Sequence, residues 1–110
     1  MIQEAISRAN VAGVEFIKMW LADVDLLGIE EPISGRGEFF IVYRNHRDRS
    51  LGVACIPPAG SDYVPCFYGS LHHFAMVAAS RGSGYANERT ALWCDNDVKR
   101  KYNDIMSRYE

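Results

Sequence analysis

Cys66, His72 and His73 lie close together in the chain, and a glycine-serine loop, Arg81, Gly82, Ser83, Gly84 and Tyr85, follows them. Thiols and imidazoles ligate metals and carry nucleophilic chemistry, and backbone amides beside a guanidinium bind anions. A zinc site needs four such ligands, usually in paired spacings, and the chain contains neither CxxC nor HExxH. Successive helical residues are rotated by about 100°, so His72 and His73 do not converge on one ion. A cysteine nucleophile needs its thiolate stabilised, and a helix starting after Ser70 would bring Cys66 toward that helix end and His72. The placement is unforced, and a small apolar cysteine is a common core residue. No catalytic residue, metal ligand or cofactor is assigned, and an enzyme using Cys66 and His72 stands third among three readings.

The strongest local basic patch is "RNHRDRS", residues 44–50, where Arg44, Arg47 and Arg49 gather with His46 while Asp48 offsets one charge. Arginine forks suit carboxylates and phosphates, including the acidic surface of a protein partner. These four residues are the expected partner-binding site. Asp23, Asp25, Glu30 and Glu31 form an acidic zone of opposite sign, which would orient two subunits or one foreign partner.

A second reading uses Arg81 and the loop Gly82, Ser83, Gly84 to hold a nucleotide or another small anionic ligand, with His72, Tyr68, Tyr85 and Trp93 around it. The loop matches neither GxGxxG nor GxxxxGK[ST], and a glycine after a helix is first a C-cap. The basic run at 99–101 is interspersed with Asp95, Asp97 and Asp104, so it makes no nucleic-acid footprint.

Composition sets the frame for these sites. A chain of 110 residues with 48% hydrophobic and 24% charged residues is expected to fold as a single domain spanning 1–110. Its net charge of -2 draws it to neither nucleic acid nor anionic lipid. Three cysteines without paired spacing argue against a disulfide scaffold and for a reducing, cytoplasmic setting. No run approaches the roughly 18 apolar residues of a membrane helix.

The elements that must position the sites follow from periodicity. Ile2, Ile6, Ala9, Gly13, Phe16, Ile17, Trp20, Val24 and Leu27 recur at helical spacing, predicting one long N-terminal helix over 2–27, capped by Gly28. "EFFIVYR" (38–44), "SLGVACI" (50–56) and "YVPCFYG" (63–69) read as three antiparallel strands, the first two joined by the arginine hairpin. Pairing Ile56 with Tyr63 would set Cys55 opposite Val64 and Cys66 opposite Val53, both thiols on one apolar side. A central helix is expected over 71–80. Residues 88–94 lean toward a fourth strand. Val98, Tyr102, Ile105, Met106 and Tyr109 predict a C-terminal helix.

The fold class expected is α+β, with a small antiparallel sheet of three to four strands packed by N-terminal, central and C-terminal helices. The broad apolar face of the first helix suggests a homodimer. The leading functional reading is a non-catalytic binding protein acting on a protein partner, of inhibitor, immunity or adaptor type. Neither membrane nor nucleic acid is expected as a partner.

Overall fold

The structure, a computed structural model, describes residues 2–69, 75–76 and 96–110, with the backbone alone for 20–21, 66–69 and 75–76. The fold is α+β. Strands β1 (Val24–Glu30), β2 (Phe39–Asn45), β3 (Leu51–Ile56), β4 (Cys66–Gly69) and β5 (Ala75–Met76) form one antiparallel sheet in chain order. Helices α1 (Ile2–Arg8) and α2 (Val11–Trp20) cover one face, and α3 (Asn96–Tyr109) covers the other.

Being covered on both faces explains why β2 and β3 read as continuous apolar runs, where a sheet with one wet face would alternate. Phe39, Ile41 and Tyr43, with Ala54 and Ile56, face Ala5, Phe16 and Ile17 of the N-terminal helices. Phe40, Val42, Leu51, Val53 and Cys55 face Val98 and Ile105 of α3. The predicted C-terminal helix is present, with Tyr102, Met106 and Tyr109 completing its apolar stripe.

The single N-terminal helix is not observed. It breaks at Asn10, whose amide donates to the Pro57 carbonyl while Ala9 bridges to Pro58 and Ala59 donates to the Arg8 carbonyl. Backbone groups that a continuous helix would pair internally are used by the loop after β3. Asn10 then caps α2, its Oδ1 accepting from Gly13 N at 2.8 Å. A 3-10 turn at Leu21–Asp23 ends α2.

The remainder of the predicted helix is β1, and Gly28 is a strand residue rather than a helix cap. A bulge between Leu26 and Gly28 shifts the register, leaving Leu27 38% exposed. Leu26 and Ile29, three apart, therefore both pack toward α1 and α2. An extra residue in a strand gives apolar side chains a spacing of three, which imitates a helical stripe. The broad helical face that suggested a homodimer is accordingly not one surface.

Two further expectations change. Among the described residues the sheet has five strands, and Ala75–Met76 pairs with β4 as a strand, so the helix expected over 71–80 does not run through these residues. The rest of 71–80, and all of 88–94, lie outside the described residues. The β3–β4 register is displaced by two residues from the one expected: Cys55 lies opposite Cys66 and Val53 opposite Tyr68. Cys55 lies in the cluster under α3. Among the described residues, no helix is long and apolar enough to cross a membrane.

Candidate functional site

The loop between β2 and β3 is built by its own side chains. Asn45 N donates to the Ser50 carbonyl and Arg49 N to the Asn45 carbonyl, each at 2.9 Å, closing the hairpin. Asn45 Oδ1 accepts from Arg47 N at 2.8 Å and Asp48 Oδ1 from Ser50 N at 2.9 Å. These are the short loops that asparagine and aspartate make with backbone two residues ahead. The Asp48 carboxyl is held below its ordinary range by its hydrogen bonds with Ser50.

Arg49 adopts φ 63, the left-handed region, and is the one non-glycine residue to do so among those described. Its carbonyl accepts from Arg44 Nη1 at 2.8 Å. Its guanidinium reaches Asp25 Oδ2 of β1 at 3.4 Å. His46 N donates to the Asp23 carbonyl at 3.0 Å, fastening the loop to the end of the 3-10 turn.

Asp25 is the partner that the sequence placed on a helix. Its Oδ1 lies 2.8 Å from His46 Nε2, and because an ionised carboxylate only accepts, Nε2 carries the proton. The His46 hydrogen bond is the first cause holding the Asp25 carboxyl below its usual range, with Arg49 adding to it. Both side chains are about half exposed, at 47% and 52%, so solvent screens the pair.

All four residues predicted as the partner site thus come together on one hairpin, but they do not act alike. Arg44 and His46 brace the loop, Arg49 is tethered to Asp25, and Arg47 is exposed with its described hydrogen bond made through the backbone. The three guanidinium groups stand against Asp25 and Asp48, leaving one net positive charge. The acidic zone is not a separate pole. Asp25 pairs with the hairpin, Glu30 with Arg108 at 2.7 Å, and Glu31 with Arg8 at 3.6 Å.

Of the residues in the alternative ligand site, Tyr68 is on β4, opposite Val53. His72, Arg81, Gly82, Ser83, Gly84, Tyr85 and Trp93 lie outside the described residues. Among those described, no three metal-ligating side chains cluster.

Two polar residues that sequence reasoning passed over organise the frame. Glu38 is wholly buried, accepting from Ile33 N and from Arg36 Nε, each at 2.9 Å. Arg36 also approaches Asp97 of α3 at 3.8 Å. The charge is paired and hydrogen-bonded, as a buried carboxylate must be. Asn10, 6% exposed, is the other. An asparagine just ahead of an apolar-periodic run was the available signal for the helix start it makes. No family model, curated protein or solved structure matches the chain.

Proposed function

We propose that this protein is a non-catalytic binding protein, of inhibitor, immunity or adaptor type, that takes an acidic protein partner on the β2–β3 hairpin. Arg47 and Arg49 make the contact, and Arg44 and His46 hold the loop in shape for it. The observation that carries this reading is Arg49 itself. Its backbone occupies the region that favours glycine, at a cost of about 1 kcal/mol or more for a residue with a Cβ. An exposed ion pair such as that with Asp25 returns at most about 1 kcal/mol. Stability alone does not call for arginine there, and strained backbone positions gather at functional sites.

The loop is also pre-organised. Its backbone is fixed by Asn45, Asp48 and Arg44, so little ordering entropy remains to be lost on binding. A cytoplasmic location belongs to the same proposal, supported by three cysteines that form no paired motif.

Affinity capture with the tagged chain, run beside an Arg47→Glu/Arg49→Glu variant, tests the reading. The expected result is a partner retained by the parent chain, lost by the variant, and recovered when acidic residues of the partner are reversed to lysine. A partner held equally by both chains would place the interface elsewhere. A measured turnover would refute the non-catalytic assignment.

A further inference from the structure

We propose that Cys55 and Cys66 form a reversible redox clamp between β3 and β4. The two residues are directly opposite one another on adjacent antiparallel strands. Asn45 N donates to the Ser50 carbonyl, so along unbroken β2 the amides of Tyr43, Ile41 and Phe39 also turn toward β3. Their partners Gly52, Ala54 and Ile56 turn back toward β2. Leu51, Val53 and Cys55 therefore direct their backbone groups to β4, which makes Cys55 and Cys66 a hydrogen-bonded pair.

In such a pair the Cα atoms are about 5.5 Å apart, within the roughly 4.4–6.8 Å that a disulfide spans. Directly opposed Cβ atoms sit about 4.5–5.5 Å apart, whereas a disulfide draws them to about 3.8 Å. A hydrogen-bonded pair lies at the wide end of that range, so bridging requires β4 to move by about 1.5–2 Å. The resulting bond is strained, and strained disulfides are the readily reduced, regulatory ones.

Placement supports a switch over a permanent staple. Cys55 is 1% exposed, packed with Phe40, Val53, Val98 and Ile105 under α3. In a reducing compartment such a pair rests as two thiols, and intracellular disulfides of this kind are transient.

The oxidant is a small-molecule disulfide, for which oxidised glutathione is the probe. The thiolate of one cysteine attacks a sulfur of the probe, forming a mixed disulfide and expelling one thiolate. The other cysteine's thiolate attacks the protein-side sulfur, forming the Cys55–Cys66 bond and expelling the second thiolate. Two protein thiols are oxidised, one small disulfide is reduced, and the two protein protons end on the released thiols. The bridge closes residues 56–65 into a ring between the two cysteines, and that segment carries the Ser61 and Tyr63 carbonyls that hold Asn10. Oxidation thus fastens β4 to the centre of the sheet and to the start of α2.

The test equilibrates the folded full chain, carrying Cys94→Ser to remove the third thiol, in oxidised and reduced glutathione, and reads intact mass, peptide maps and amide exchange. The expected result is a loss of two hydrogen atoms per chain and a Cys55–Cys66 linked peptide, reversed by excess reduced glutathione. Exchange at 66–69 should slow by about tenfold or more in the oxidised form. Cys66→Ser, or Cys66→Ala if the serine variant does not fold, should abolish both changes. A bridge formed only in denaturant, glutathione adducts without a bridge, or a bridge that leaves exchange at 66–69 unaltered would each overturn the clamp.

Discussion

The side-chain amide of Asn10 donates to the Tyr63 carbonyl at 2.8 Å, joining the start of α2 to the segment that leads into β4. It also donates to the Ser61 carbonyl at 2.9 Å, while its Oδ1 caps the helix. Asn10→Ala should destabilise the protein by about 3 kcal/mol, combining a lost cap of about 1 kcal/mol with two carbonyls stripped of donors. Asn10→Asp should do no better, because it keeps the cap but turns a carboxylate oxygen toward those carbonyls. Denaturant midpoints at constant slope measure both, and an Asn10→Ala loss below about 1 kcal/mol would show that the loop re-pairs.

Tyr109 and Gly28 should be energetically coupled. The Tyr109 hydroxyl occupies the space that a Cβ at Gly28 would take, and donates to Glu30 Oε2 at 3.0 Å. Gly28→Ala should swing the ring away and cost about as much as Tyr109→Phe, each near 1 kcal/mol. Phenylalanine removes the clashing oxygen, so the double variant should lose less than the two single losses together. Strict additivity in a double-mutant cycle would mean that the contact is not shared.

Arg49→Gly should leave stability unchanged or raise it by up to about 1 kcal/mol, because glycine accepts the left-handed backbone without strain. The same change should weaken partner retention. Melting temperature and capture, read on one preparation, separate the two effects, and a marked fall in melting temperature would show that the Asp25 contact is structural.

Stability should fall at both ends of the pH scale for different reasons. Asp25 has a folded pKa below its ordinary 3.8, so its contribution is complete above about pH 4 and is lost as pH falls through the folded value. The difference between the parent and Asp25→Asn should therefore shrink on acidification. Burial, first, and then the nearby Tyr102 and Asp48 hold the Tyr43 phenol far above its ordinary 10.0. Its neutral form supports the fold fully below about pH 10, and that support is lost as pH rises further. Tyr43→Phe should blunt the alkaline fall, and tyrosinate absorbance followed alongside circular dichroism would show Tyr43 ionising together with unfolding.

What could be read from the chain was local. The runs at β2 and β3 announced strands through β-branched and aromatic content, "NHRDR" announced their hairpin, and the stripe from Val98 to Tyr109 announced α3. The four hairpin residues were legible as a charged patch because a tight turn keeps sequence neighbours together.

Tertiary structure decided the rest, wherever the controlling partner lies far along the chain. A helical period over 2–27 was overruled at Asn10 by residues 57–63 and at Leu27 by a bulge registered against β2. No local propensity contains either partner. The pairing of Asp25 with His46 and Arg49 became visible only when β1 was a strand beside β2. The opposition of Cys55 and Cys66 depended on a two-residue choice of register, which the alternation of side chains cannot make because both registers keep the same face inward.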